Sequence, residues 1–386
     1  MSEIKVNSIK GVGASAAAIT VNNSDGTCTA NITNNLSNRN LIINGAMQVA
    51  QRGVSSTSTG YYTVDRFALA YNATASITQA QVDVASGTTP YSLGFRKAFK
   101  ATNGNQGSLG SQQIMEFKYK VEAQDVASSG WNYTDPNSFI TLSFWVKSSV
   151  SFNMKGFFFT QDNSYNYPLE TGTLSANTWT KIIRTIPGNS NLVFNNDNGH
   201  GLTISWGVYG TNYSSGNPPV NQWVDYSAAT LTNPSETTWY TTNDATLEFT
   251  GLQLEVSDHA SDFQFRSFAE ELSLCQRYYQ VIAEGTNKAI CNAVSFAGND
   301  GFGFIDLKSV MRAAPTLDVV TGTGYWRAFR NAGVGDFNDV IMESNSNRTV
   351  GLKFQGVSSG TSLSTGQVGF IRTNNSAAFL AASSEL

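Results

Sequence analysis

From about residue 41 onward the chain is cut into short runs in which apolar side chains fall on every second position. In FITLSFWVKSS, Leu142, Phe144 and Val146 alternate with polar neighbours. That is the period of a strand with one face in a core and the other outside it. SFNMKGFFFTQ, WTKIIRTIP, LTISWGVYG and ATLEFTGLQLEVS share this length and character, and clusters such as TNGNQGSLG, PGNSN, NNDNGHG and NYSSGNPP separate them. Gly, Asn and Pro in such clusters favour chain reversal. Many short strands with turns between them point to a sandwich or barrel. Strands do not alternate with helical segments, which argues against a doubly wound parallel sheet.

One segment reads as a helix. In SFAEELSLCQRYYQ, Ser267 followed by Glu270 has the spacing of a capping box, and Phe268, Leu272 and Cys275 or Tyr279 fall on one face. A mainly β chain is thus predicted, with a central β-sandwich over residues 41–266, a bridging helix over 267–280 and a smaller carboxyl-terminal β-sandwich over 281–386. Strand candidates in the last region are AICNAVSF, FGFIDL, TLDVV, RTVGLKF, GQVGFIR and AAFLAAS. Residues 1–40 differ in texture. EIKVNSI and AITVNN alternate like two short strands, followed by the polar stretch NNSDGTCTANITNNLSNRN. Such a segment cannot close a core of its own: it reads as a flexible leader or, as its alternation favours, an extended arm that adds strands to a partner or to sister chains.

Charged residues make up only 13% of the chain, about half the usual share. Asn, Ser, Thr and Gly replace them, a surface suited to neutral polar ligands such as glycans. The net charge of −4 and the lack of a Lys/Arg cluster argue against nucleic acid as a partner. No apolar run reaches the roughly 20 residues that span a bilayer, and MSEIKVNSIKGV lacks the apolar core of a secretory signal. Synthesis in a cytoplasm without membrane insertion is the expectation. Three widely spaced cysteines, Cys28, Cys275 and Cys291, read as isolated thiols.

The chemistry-bearing residues are few. His200 and His259 are the only histidines and both sit in polar loops without metal-ligand spacing. No nucleophile elbow, phosphate loop or dinucleotide fingerprint is present. Glu270 and Glu271 stand at the helix start, where capping and the helix dipole account for them. Asp197 in NNDNG reads as an Asx turn in preference to a calcium loop. No enzymatic activity, cofactor or metal is expected. Aromatic residues are more informative. Phe144, Phe157, Phe159, Trp206 and Phe249 fall inside apolar strand patterns and read as core. Tyr165, Tyr167, Tyr213, Trp223, Trp239 and Tyr240 lie in polar contexts, QDNSYNYP, GTNYSSGNPP, NQWVDY and TTWYTTN. They are the candidate glycan contacts, with a subunit interface or internal packing as the alternatives. Asp65 and Arg66 read as an ion pair at a strand end. Gly45 and Gly53 read as turn or bulge glycines.

The run NLIINGAMQVAQRG followed by YYTVDRF resembles the opening of a family of bacteriophage virion proteins described as tail-fibre, receptor-binding or minor structural proteins. FTGLQLEVSDHASDFQFRSFAEELSLCQRYYQ, VMRAAPTLDV and NSAAFLAASSEL are similar to that family's later segments, so the likeness covers roughly residues 40–386. MSEIKVNSIKG resembles openings of fibre-like proteins of marine phages, particularly those of cyanobacteria. The resemblance implies a jelly-roll-like sandwich, similar to carbohydrate-binding modules, assembled as a homotrimer. The expected protein is a virion tail fibre, made in the host bacterial cytoplasm and held to tail or adaptor proteins by residues 1–40. Its β-sandwich domains would contact host cell-surface polysaccharide. A purely architectural virion role and a glycan depolymerase are the alternatives.

Overall fold

Two antiparallel six-stranded sheets face one another across a single core in the central region. The first sheet contains β1 (Phe67–Asn72), β2 (Ile114–Glu122), β3 (Phe152–Thr160), β4 (Tyr165–Leu174), β5 (His200–Tyr209) and β6 (Val224–Asp225), in the spatial order β6-β4-β3-β5-β2-β1. The second orders Thr180–Pro187, Phe139–Ser148, Thr246–Val256, Lys97–Thr102, Thr78–Asp83 and Ser55–Ser56. Hairpin neighbours such as β3 and β4 alternate with pairings between strands distant in sequence, such as β3 with β5 and Phe139–Ser148 with Thr246–Val256, as in a jelly roll. The inner faces supply the alternating residues read from the sequence. Phe144 lies 5.1 Å from Trp206 and 5.5 Å from Phe249, which sits 4.4 Å from Phe117. The computed structural model describes residues 39–295, 299–331, 333–359 and 363–386, with residues 6, 8–9, 19–21, 24 and 28–30 of the amino-terminal stretch.

In that stretch Ser8–Ile9, Ile19–Val21 and Cys28–Ala30 pair as a small antiparallel sheet. The first two strands were expected; the third falls within the stretch read as a polar linker. The rest of the arm lies outside the described residues.

The carboxyl-terminal region is β throughout, with its sandwich realised as a closed six-stranded barrel beside a three-stranded sheet. Trp326, Phe337, Phe354, Leu352 and Ile371 fill the barrel. In the small sheet Phe379–Ser383 lies between Tyr279–Glu284 and Thr316–Val320. Two barrel strands, Trp326–Arg330 and the long Gly333–Asn345, were not expected.

The helix α1 spans Phe268–Cys275 and not 267–280. Ser267 Oγ accepts the Glu270 N–H at 3.2 Å, as expected. The buried face carries Glu271 and Cys275, while Phe268 is exposed. Tyr278 and Tyr279 are drawn out of the helical pattern. Tyr279 pairs with Ser383 as the first residue of a strand, and the Tyr278 hydroxyl donates to Glu122 of β2 at 2.5 Å.

The signature segments turn out to be the seam between the two regions. Asn44, at φ 62°, donates to the carbonyls of Val49 and Asp65 and accepts the Val49 N–H. A Cβ on Gly45 would stand 2.1 Å from the Leu252 oxygen, so only glycine fits there. Buried Glu271 accepts the Asn44 N–H, and Arg266 donates to the Asn40 and Ile42 carbonyls. Arg277 forks onto Glu122 at 2.8 and 2.7 Å. Asp65 and Arg66 do not pair with each other. Adjacent residues in this turn, with Arg66 at φ 72°, point their side chains to different partners. Arg66 pairs with Glu385 at 2.5 Å, and Asp65 accepts two bonds from Gln51.

Candidate functional site

Period-two geometry gives the first sheet an outer face as well as a core face. On β2, Met115, Phe117, Tyr119 and Val121 enter the core, which turns Glu116, Lys118 and Lys120 outward. On β5, Leu202, Ile204, Trp206 and Val208 enter the core, leaving Thr203, Ser205 and Gly207 outside. On β3, Met154 and Phe158 face in, so Phe157 and Phe159 face out.

The register assembles these into rows. Lys118 pairs with Ser205, which pairs with Phe157; Lys120 pairs with Thr203, which pairs with Phe159. The middle strand therefore presents small side chains between a lysine wall and a phenylalanine wall. Two strand spacings set those walls about 10 Å apart. The result is a trough along β5 with a volume of about 370 Å³.

A loop builds up the aromatic side. Short 3-10 turns at Thr211–Tyr213 and Ala228–Thr230 bring Tyr213, Tyr226 and Leu231 to the trough. Asn166, facing outward on β4, donates to the Thr230 and Leu231 carbonyls at 2.8 and 2.9 Å. Thr232 N–H donates to the Tyr213 carbonyl, and Gly216 N–H to that of Ala229. The wall is thus tied to the sheet beneath it. Phe159 and Tyr226 rings lie 4.9 Å apart, and Phe157 and Tyr209 rings 5.8 Å apart.

The polar groups are organised as well. Glu116 accepts from Ser205 Oγ at 2.5 Å and pairs with Lys118 at 2.6 Å. Tyr209, buried, shares its hydroxyl with Ser205 at 3.0 Å. Burial holds its proton well beyond the usual phenol range, and Glu116 adds to the effect. His200 Nε2 lies 2.6 Å from Thr203 Oγ1. Burial, reinforced by Lys120 and Lys118, pushes the His200 pKa down to about 4, so the ring is neutral at pH 7. Burial also lowers the Lys120 ammonium, with Lys118, Arg66 and Arg312 acting in the same direction.

Of the six aromatic candidates from the sequence, Tyr213 alone lines the trough. Trp239 and Tyr240 are fully buried. The short helix Thr238–Thr241 turns both rings into the core, and Asn103 binds the carbonyls of Trp239 and Tyr240. Tyr167 is core on the inner face of β4, packed 5.0 Å from half-buried Trp223. The Trp223 Nε1 donates to the Pro187 carbonyl. Tyr165 is half-buried against the core, and its hydrogen bond to Asp225 raises its pKa. Phe157 and Phe159, read as core, stand on the outer face, where Phe157 is nonetheless buried and Phe159 half-buried. Lys118, Lys120, Thr203, Tyr209 and Tyr226 were not singled out, and His200 was weighed only as a metal ligand.

No protein-family model matches the chain, and no curated protein matches it. Its structural neighbours are carbohydrate-binding modules and a phage tailspike domain. The enzymatically active domain of tailspike protein 4 from bacteriophage CBA120 aligns at 10% identity over 56% of this chain, with TM-score 0.31. The alignment spans only 21% of that tailspike chain. A CBM22-1 xylan-binding domain from Paenibacillus barcinonensis aligns at 9% identity over 57% of this chain and 96% of its own, with TM-score 0.27. For a putative sugar binding protein from Bacteroides thetaiotaomicron the values are 10%, 57%, 100% and 0.30. Similarity at this level carries no functional argument.

Proposed function

We propose that this chain is a non-catalytic glycan-binding protein of a bacteriophage virion, a homotrimeric tail fibre that contacts host surface polysaccharide. The observation that carries the binding half is the trough along β5. A pyranose needs an apolar face to stack on and donors and acceptors for its hydroxyl edge. Phe159 and Tyr226 supply the first; Thr203, His200 and the two lysines supply the second. Among its lining residues the trough has one carboxylate, Glu116. Glycoside hydrolysis uses two carboxyl groups flanking the bond, which favours binding over cleavage. The phage half rests on the likeness of NLIINGAMQVAQRG, YYTVDRF and the segments after them to virion proteins. Three troughs on one trimer would act at high effective concentration, converting weak single sites into firm attachment.

The test is retention of the full-length chain on a panel of bacterial cells and their extracted surface polysaccharides, beside a Phe159→Ala/Tyr226→Ala variant. Retention by the wild type and its loss in the variant is the expected result. If no susceptible strain retains the protein, an architectural place in the virion is the better reading; release of reducing ends would make it an enzyme. Light scattering near 41.6 kDa, not three times that mass, would remove the trimer. Deleting residues 1–40 should abolish incorporation into particles while leaving the remainder folded.

A further inference from the structure

We infer that the glycan held in the trough is acidic, its carboxylate or sulfate groups facing β2. This rests on the glycan-binding reading above and specifies its ligand class. The two long walls differ in chemistry. Phe157 and Phe159 on β3, with Tyr226, form the apolar one; Lys118 and Lys120 on β2 form the other. The lysines are two residues apart on one strand, so they project from the same face about 7 Å apart. That spacing lets an acidic group on a sugar stacked against β3 meet one or both ammonium groups.

The donors are available. An ammonium has three N–H donors. Lys118 uses one on Glu116 at 2.6 Å, and Lys120 uses one on the Leu386 oxygen at 2.8 Å. Both lysines line the trough. The lining thus brings two ammonium groups and one carboxylate together in a chain whose net charge is −4. Arg66, bound to the Lys120 carbonyl behind the same wall, has its charge paired with Glu385, so the free positive charge of the trough is that of the lysines. Protonation of His200 is opposed first by burial and then by those same two lysines. A neutral sugar would stack on β3 but leave that positive charge unanswered.

The experiment presents acidic and neutral polysaccharides in parallel to the full-length protein. The acidic probes are polyuronates, sulfated galactans and bacterial acidic exopolysaccharides; each polyuronate is paired with its carboxyl-reduced counterpart. Binding is read by affinity electrophoresis and calorimetry at 50 and 500 mM NaCl. The expected result is retention by acidic probes, at least tenfold weaker for the reduced counterpart and several-fold weaker at high salt. Lys118→Gln/Lys120→Gln should lose at least tenfold on the acidic probe while keeping the wild-type melting curve. The wild-type salt series stands even where that variant folds poorly. Equal binding of the acidic and reduced polymers overturns the acidic assignment and leaves glycan binding in place. Retention by no glycan of either class overturns both.

Discussion

Replacing Arg66 by Met should destabilise the chain by about 3 kcal/mol. The guanidinium is fully buried, 2.5 Å from Glu385, 2.7 Å from the Lys120 carbonyl and 3.4 Å from the centre of the Tyr278 ring. Burial opposes its charge, and Glu385 with the surrounding tyrosines holds that charge in place. Removing one member of such a buried pair costs about 3–5 kcal/mol, because the other is left charged and unpaired. Glu385 would keep Arg52 at 3.2 Å, which places the loss at the lower end. Arg66→Met/Glu385→Gln removes both charges and should recover at least ~1 kcal/mol relative to the sum of the single losses. Urea unfolding followed by tryptophan fluorescence gives all four corners of this cycle. A loss below ~1 kcal/mol for Arg66→Met, or strictly additive losses, would refute the view that this pair locks the seam.

His200 predicts a pH effect of definite sign. Its folded pKa is about 4 against an ordinary 6.5, so the unfolded chain takes up the proton first as pH falls. The stability it contributes is complete above pH 6.5 and is lost between 6.5 and 4. At roughly 1.4 kcal/mol per pH unit the ceiling is ~3 kcal/mol, and partial exposure of the ring reduces this to about 2 kcal/mol. Buried Asp65, raised to about 6 mainly by burial, acts oppositely, since its contribution is lost as pH rises from about 4 to 6. The wild-type profile should therefore be flatter in this window than that of Asp65→Asn, while His200→Gln should lose stability less steeply on acidification; identical profiles for all three would contradict the assignments. Trp239→Ala should cost about 3–5 kcal/mol in thermal or urea unfolding. Exposed Tyr226→Ala should cost under ~1 kcal/mol of stability yet weaken glycan retention severalfold, the opposite pattern. Gly45→Ala, which forces a methyl against the Leu252 oxygen, should lower the urea midpoint by an amount equivalent to about 1–3 kcal/mol; an unchanged midpoint would show that the loop relaxes freely.

Much of the fold was legible because a strand with one buried face writes its own period. FITLSFWVKSS, ATLEFTGLQLEVS and GQVGFIR needed nothing beyond alternation. The unexpected strand Gly333–Asn345 contains GVGDFND and ESN, residues of low strand propensity that pairing with both neighbours overrides. The helix ended early because tertiary bonds from Tyr278 and Arg277 to Glu122 outweigh the local pattern. At the site, polarity of context proved a poor guide to exposure. TTWYTTN buries both aromatics because a helical turn points them together at the core, whereas the Phe157–Phe158–Phe159 run cannot turn all three rings to one face of a strand. Alternation alone assigns Phe158 to one face and its neighbours to the other. The small residues Thr203, Ser205 and Gly207 between Leu202, Ile204, Trp206 and Val208 were the sequence trace of the trough floor.

Recognition and interdomain stability meet on one strand. Residues Glu116, Lys118 and Lys120 of β2 form a wall of the trough. The Lys120 carbonyl accepts from Arg66, and Glu122 binds Arg277 and Tyr278 of the carboxyl-terminal seam. The Lys120 ammonium is itself held by the Leu386 oxygen, and Arg66 holds Glu385 beside it. The lysine wall is consequently positioned from two sides, by its own sheet and by the final residues of the chain. A side chain as long as lysine loses much rotamer freedom when it binds a ligand, and prior anchoring reduces that cost. The seam thus contributes to binding as well as to stability. On this argument Arg66→Met should weaken retention of an acidic glycan even under conditions where the variant remains fully folded, while retention driven by Phe159 and Tyr226 alone would be unchanged.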